Sequence, residues 1–69
     1  VRRQATPHVR LPAVFRDGVL ALAAGEFAVA IDRFGRVIEL DPANGEARLN
    51  LGLAFERAGR AAEARDALL

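Results

Sequence analysis

The stretch AIDRFGRVIELDPANGEARLNLG, residues 30–52, decides the fold. Apolar residues recur through Ala30, Ile31, Phe34, Val37 and Ile38, the three-, four- and seven-residue spacing of one helix face. Asp41-Pro42 stops that run, because the residue before a proline avoids the α region. Asn44 then offers a side-chain oxygen to the free N–H groups of a new helix. A second apolar stripe follows through Leu49, Leu51 and Leu53. One helix ends, the chain turns, and another begins.

The flanking sequence has the same form. Pro12 suits the first turn of a helix, where its missing N–H costs nothing. Val14, Phe15, Val19, Leu20 and Leu22 give a helical stripe over about Ala13–Ala24, and Gly25 ends it. A second helix is expected over about Glu26–Leu40, with Glu26 at its positive end. Asp32 and Arg36 stand four apart on its wet side and predict a weak ion pair. The third helix is expected over about Gly45–Ala58, with Leu49, Leu51, Leu53, Ala54 and Phe55 apolar and Gly59 closing it. A fourth starts near Arg60 or Ala61 and runs to Leu69. Nothing alternates with period two, so no strand is expected. Residues 1–10 carry Arg2, Arg3 and Arg10 with no acid, and read as a basic arm or linker.

Composition narrows the function classes. A chain of 69 residues forms one small domain at most, and so short a chain buries about 60% of its unfolded surface. There is no Cys, which removes disulfides and thiolate metal sites. The formal net charge of +1 gives no large field for DNA or acidic lipid. No apolar run approaches the roughly 20 residues that span a bilayer, and no signal-peptide core is present. The chain starts at Val1 and stops at Leu68-Leu69 without a helix stop signal, as expected of a piece of something longer.

The restart repeats what lies upstream. Offset by 34, Ala13 meets Ala47, Gly18 meets Gly52, and Ala24-Gly25 meets Ala58-Gly59. Ala28 meets Ala62, Ala30 meets Ala64, and Asp32 meets Asp66. The count is modest for a chain rich in Ala and Gly. The placement says more, since the small residues coincide where helices would approach closely. A glycine inside a helix costs about 1 kcal/mol relative to alanine, so Gly18 and Gly52 in register call for a packing reason.

With these residues the chain resembles a tandem of tetratricopeptide repeats, the 34-residue helix–turn–helix unit. The first unit would span residues 11–44, and the second, incomplete, residues 45–69. The family's small residue in the first helix is Gly18 and Gly52, its turn glycine Gly25 and Gly59. Its small residue in the second helix is Ala30 and Ala64, followed four later by a bulky residue, Phe34 and Leu68. Its late proline is Pro42. The family's early Trp is absent: Val14 and Arg48 stand there. Asp17 replaces a usual Leu that Leu51 retains, and Ala21 and Phe55 replace a usual Tyr. The resemblance implies an all-α fold of antiparallel helix–turn–helix pairs, stacked as a right-handed superhelical solenoid. Two units, one of them clipped, are then expected to be weakly stable alone, which favours further repeats or self-association.

Catalytic chemistry has little to work with. The chain has no Ser, Cys, Lys or Tyr, and Thr6 is its one side-chain hydroxyl. His8 is the one imidazole, in a Pro-flanked segment, and reads as a solvated side chain. Glu63 and Asp66 stand three apart, but Arg60 and Arg65 beside them make a solvated charged face the better reading than a metal site. Neither phosphate-loop nor dinucleotide fingerprint occurs, and no cofactor is implied. The arm lacks interleaved aromatics for base stacking, which argues against nucleic acid.

The resemblance points to a protein or peptide as partner. In that family the first helices of successive units line a concave groove. By position, Pro12, Phe15, Val19, Leu22 and Ala23 would face it from the first unit, and Leu49, Leu53, Glu56 and Arg57 from the second. Phe15, Val19, Leu22, Leu49, Leu53, Glu56 and Arg57 are the candidate contact residues. The alternative is that a neighbouring helix, the arm or another chain covers them, since large bare apolar patches are rare. A carboxylate-clamping subtype is disfavoured: Asn50 echoes its set, while Phe15 and Glu46 occupy its basic positions. Two further roles stay open, a non-catalytic segment attached to an enzyme domain elsewhere in the parent chain, and an oligomerisation element.

Overall fold

A computed structural model describes residues 11–68 of the chain. The basic arm, with Thr6 and His8, lies outside the described residues. Four helices follow in order: α1 Leu11–Ala23, α2 Phe27–Leu40, α3 Gly45–Arg57 and α4 Ala61–Leu68. No strand occurs among the described residues. Each helix packs on the next, α1 on α2, α2 on α3 and α3 on α4, while α1 touches α3 lightly. The fold is all-α, built of antiparallel helix–turn–helix pairs.

Two glycines make the turns within the pairs. Gly25 and Gly59 adopt φ of 79° and 80°, the left-handed region that a side chain disfavours. Behind Gly25, the Glu26 N–H donates to the Ala21 carbonyl at 2.8 Å and the Gly25 N–H to Leu22 at 3.1 Å. Behind Gly59, the Arg60 N–H donates to Phe55 at 2.8 Å and the Gly59 N–H to Glu56 at 3.0 Å. Both turns are Schellman motifs, which satisfy the carbonyls that a helix end leaves orphaned. The same hydrogen bonds therefore recur 34 residues apart.

The turn between the pairs is different. Asn44 caps α3, its side-chain oxygen accepting from the Ala47 N–H at 2.9 Å. Arg48 reaches back to donate to the Pro42 carbonyl at 2.9 Å, tying α3 to the turn that aims it. Two details depart from the sequence expectations. Glu26 lies outside α2 as its N-cap, with non-helical backbone angles of φ −90° and ψ 73° and no side-chain capping bond. Asp32 pairs with Arg33 rather than Arg36, and Arg36 turns to Glu39 at 3.4 Å. On an exposed face such pairs are nearly equivalent in energy, so spacing alone does not select among them.

The core centres on α2. Phe34 and Val37 are its largest fully buried side chains, and Ala30, Ala47 and Ala54 are also at 0% exposure. Phe34 packs edge-on against Phe15, with ring centroids 5.5 Å apart and planes at 69°. Gly18 is the notch that admits it. A Cβ at Gly18 would lie 2.8 Å from Phe34 Cε1, closer than atoms can approach. Gly52, its counterpart in α3, is likewise buried.

This contact makes two glycine substitutions diverge. Gly18→Ala is expected to lower the melting temperature, because a ring buried on all sides cannot swing away and overpacking costs about 1–3 kcal/mol. Gly35 sits inside α2 with nothing within 4 Å of its would-be Cβ. Gly35→Ala should therefore raise stability by up to about 1 kcal/mol. Thermal melts of the two variants check this, and a gain in Gly18→Ala would refute the notch.

Candidate functional site

The turn from α3 to α4 brings two helix faces together without closing them. Phe55 at the end of α3 lies under the Arg60 guanidinium, 5.0 Å from its ring centroid. Arg60 also grips Glu63 one turn along, with Nε donating to Oε1 at 2.8 Å and Nη2 to Oε2. Glu63 is held below the ordinary carboxylate value by this hydrogen bond, and Arg60 is raised by the same bond. The Phe55–Arg60 contact spans the turn from α3 to α4.

Beside it lies a cleft of about 290 Å³. Leu49, Gly52, Leu53 and Glu56 of α3 form one side, and Ala61, Ala64 and Arg65 of α4 the other. Its floor is apolar and its rim carries one acid and one base. A larger hollow of about 600 Å³ lies between Val14 and α2, around Asp32, Arg33, Arg36 and Glu39. Those four charges pair with one another, leaving mixed, mutually satisfied polarity rather than an apolar seat. The α3–α4 cleft is therefore the better candidate site.

The candidate contact residues divide across the fold. Leu49 is 61% exposed on α3, Val19 is 40% exposed on α1, and Glu56 and Arg57 are exposed. Leu53 is half-buried against the core and still lines the cleft. Phe15 is half-buried against Phe34. Leu22 sits at 7% exposure inside the core cluster, with little surface left for a partner. Leu49, Leu53 and Glu56 come together at the cleft; Phe15, Val19, Leu22 and Arg57 do not line it. Asn50 donates to the Glu46 carbonyl at 2.9 Å, which engages its amide within its own helix.

Ala61, Ala64 and Arg65 were not among the expected contact residues, because a groove inferred from first helices leaves α4 out. The signal was in the 34-residue offset: Ala61 stands where the first pair has Phe27, and Arg65 where it has Ile31. Among the described residues no group of three or more His, Cys, Asp or Glu is placed to hold a metal ion. No described helix is long and apolar enough to cross a membrane.

Stacked helical pairs, repeated turn geometry and a buried small residue at matching positions define a helical-repeat protein. A family model of the tetratricopeptide repeat matches residues 15–69. The chain belongs to the tetratricopeptide repeat family, whose repeats generally mediate protein–protein interaction and are typically non-catalytic. No solved structure matches the chain.

The Arg60–Glu63 clamp carries a pH signature. Because the folded-state value of Glu63 is depressed, its contribution is present above the unfolded carboxylate value and is lost as pH falls through the lowered folded value. Both groups are exposed, so the effect is small. Melts from neutral pH into the acid range should show wild type losing slightly more melting temperature than Glu63→Gln. Equal losses would mean that the clamp adds nothing in solution.

Proposed function

We propose that this chain is a non-catalytic interaction module that takes a peptide or partner helix on the α3 face, with Leu49 at its centre. The observation that carries this reading is the 61% exposure of Leu49 on α3, next to an open apolar cleft. Leucine held in water at that level gains on burial, at about 25 cal/mol per Å². Leu53 supplies adjoining apolar surface, and Glu56 and Arg57 supply opposite charges for orientation. Val19 is exposed separately on α1, at 40%.

The scarcity of nucleophilic side chains agrees with a binding role. Thr6 is the one side-chain hydroxyl of the whole sequence. Attachment to an enzyme domain elsewhere in a parent chain would leave the role of this face unchanged.

Panning a displayed peptide library against the chain tests the reading. Leu49→Glu should abolish capture of the selected peptides while circular dichroism stays helical, since the side chain is exposed and its loss leaves no cavity. Leu22→Glu should instead unfold the chain, because it places a charge in the core. Peptides that bind Leu49→Glu as well as wild type would overturn the proposed face.

A second reading rests on Leu20. It is 60% exposed on α1, while its offset counterpart Ala54 is at 0% exposure in α3, whose inner side packs on α2. The outer face of α1 is then a place for self-association. Sedimentation should show concentration-dependent assembly that Leu20→Gln removes; a monomer at all concentrations would discard this reading.

A further inference from the structure

Asn44 is followed by Gly45, at the joint between the two helical pairs. An asparagine before a glycine is a chemical pairing as well as a turn signal. The backbone nitrogen after the asparagine can attack its side-chain carbonyl, and a glycine hinders that nitrogen least. Nothing lies within 4 Å of a would-be Cβ at Gly45. The residue is exposed at the first position of α3, where a backbone N–H has no partner within its own helix. The attacking nitrogen is thus uncrowded and free. Asn50, the other asparagine of the sequence, stands before Leu51 inside α3. There the next nitrogen is engaged in the helix, and the Asn50 amide donates to the Glu46 carbonyl at 2.9 Å.

Conformation is what separates Asn44 from this reaction. At ψ 95° the Gly45 nitrogen lies nearly opposite Cβ across the Cα–C bond, whereas ring closure needs the two eclipsed. Rotating ψ that far unseats the start of α3. The hydrogen bonds of the cap oppose the rotation. The Asn44 N–H donates to the Asp41 carbonyl at 3.0 Å, and the Asn44 carbonyl accepts from the Arg48 N–H at 3.2 Å. The side-chain oxygen accepts from the Ala47 N–H at 2.9 Å. The Arg48 side chain straps the turn by donating to the Pro42 carbonyl at 2.9 Å.

We propose that Asn44 is a site of spontaneous modification, converted through a succinimide to aspartate and isoaspartate at a rate set by opening of the joint between the pairs. The Gly45 N–H gives its proton to water, and the nitrogen bonds to Cγ of Asn44. The bond from Cγ to the side-chain nitrogen breaks, and that nitrogen takes a proton from water and leaves as ammonia. One water then adds across either carbonyl–nitrogen bond of the ring, with nothing oxidised or reduced. Opening at Cγ gives aspartate, which still caps a helix. Opening at the backbone carbonyl gives isoaspartate, whose main chain runs through the former side chain. That product has no side-chain oxygen in place for the Ala47 N–H, a donor on a residue at 0% exposure, and an unpaired buried donor is destabilising. The turn that aims α3 over α2 is then broken chemically.

The test holds the full chain at neutral pH, in native buffer and in urea that unfolds it. Peptide-mapping mass spectrometry follows amide-to-acid conversion at both asparagines. Asn44 should convert and Asn50 should not. Native buffer should slow Asn44 about tenfold or more, the ratio given by an opening free energy of about 1.4 kcal/mol. Gly45→Ala should slow conversion in urea, where folding plays no part. Arg48→Ala should speed conversion in native buffer and leave the rate in urea unchanged. After chromatographic separation, the aspartate product should melt as wild type does and the isoaspartate product at a lower temperature. An intact Asn44 in urea, or Asn50 converting at the same rate, would overturn the site. Equal rates in native buffer and urea, or an Arg48→Ala rate equal to wild type in native buffer, would overturn control by the joint. An isoaspartate product that melts with wild type would overturn the structural consequence.

Discussion

The approach of Phe34 to Gly18 is the contact on which the remaining geometry depends. A missing side chain on α1 lets an aromatic ring of α2 lie where a Cβ would stand, and Phe15 closes the ring edge-on. Burying a phenylalanine contributes about 1.5–3 kcal/mol, while a glycine inside a helix costs about 1 kcal/mol. The exchange favours the notch. Once α1 and α2 are held at that distance, the same face of α2 buries Ala30 and Val37 on either side of Phe34, and Ala47 and Ala54 of α3 are equally buried. Small residues on both surfaces allow helix axes to come close, and that closeness excludes water from a core with few large side chains.

Backbone hydrogen bonding sets the directions that side-chain packing then exploits. The Schellman turns at Gly25 and Gly59 reverse the chain in the same way twice, while Asn44 and Pro42 make a turn of another kind between the pairs. These local determinants add to a core that, at this size, supplies only about 3–5 kcal/mol. Arg60 shows how closely turn and site are joined. The residue whose backbone closes the second Schellman turn also stacks on Phe55 and grips Glu63.

The helix boundaries and caps were legible because they depend on residues with few alternatives. A proline after Asp41, an asparagine before Gly45 and glycines at matching positions each have one dominant local use. The packing role of Gly18 was legible through its register with Gly52. Other features escaped for physical reasons. The ion pairs of α2 could not be assigned because exposed charges three, four or one residue apart differ by tenths of a kcal/mol. The burial of Leu22 was missed because the α1 stripe is wide enough to serve both the core and an open face, and spacing does not divide it. The α3–α4 cleft was missed because periodicity reports where apolar residues stand, not where a bulky one has been replaced. Comparing Phe27 with Ala61 and Ile31 with Arg65 across the repeat reveals it.

That replacement also distributes stability unevenly. The α2 helix buries Ala30, Phe34 and Val37 completely. Among the described side chains of α4, Ala64 alone is buried, at 7% exposure. Local opening free energy follows buried apolar contact, so α4 is the helix that opens first. A ligand that binds the closed form stabilises it by mass action. The first pair is the better-buried half, and α4 stands at the low-stability end beside an accessible apolar floor. A helical repeat that filled both clefts with its own aromatics would be more stable and would offer a partner less surface to bury.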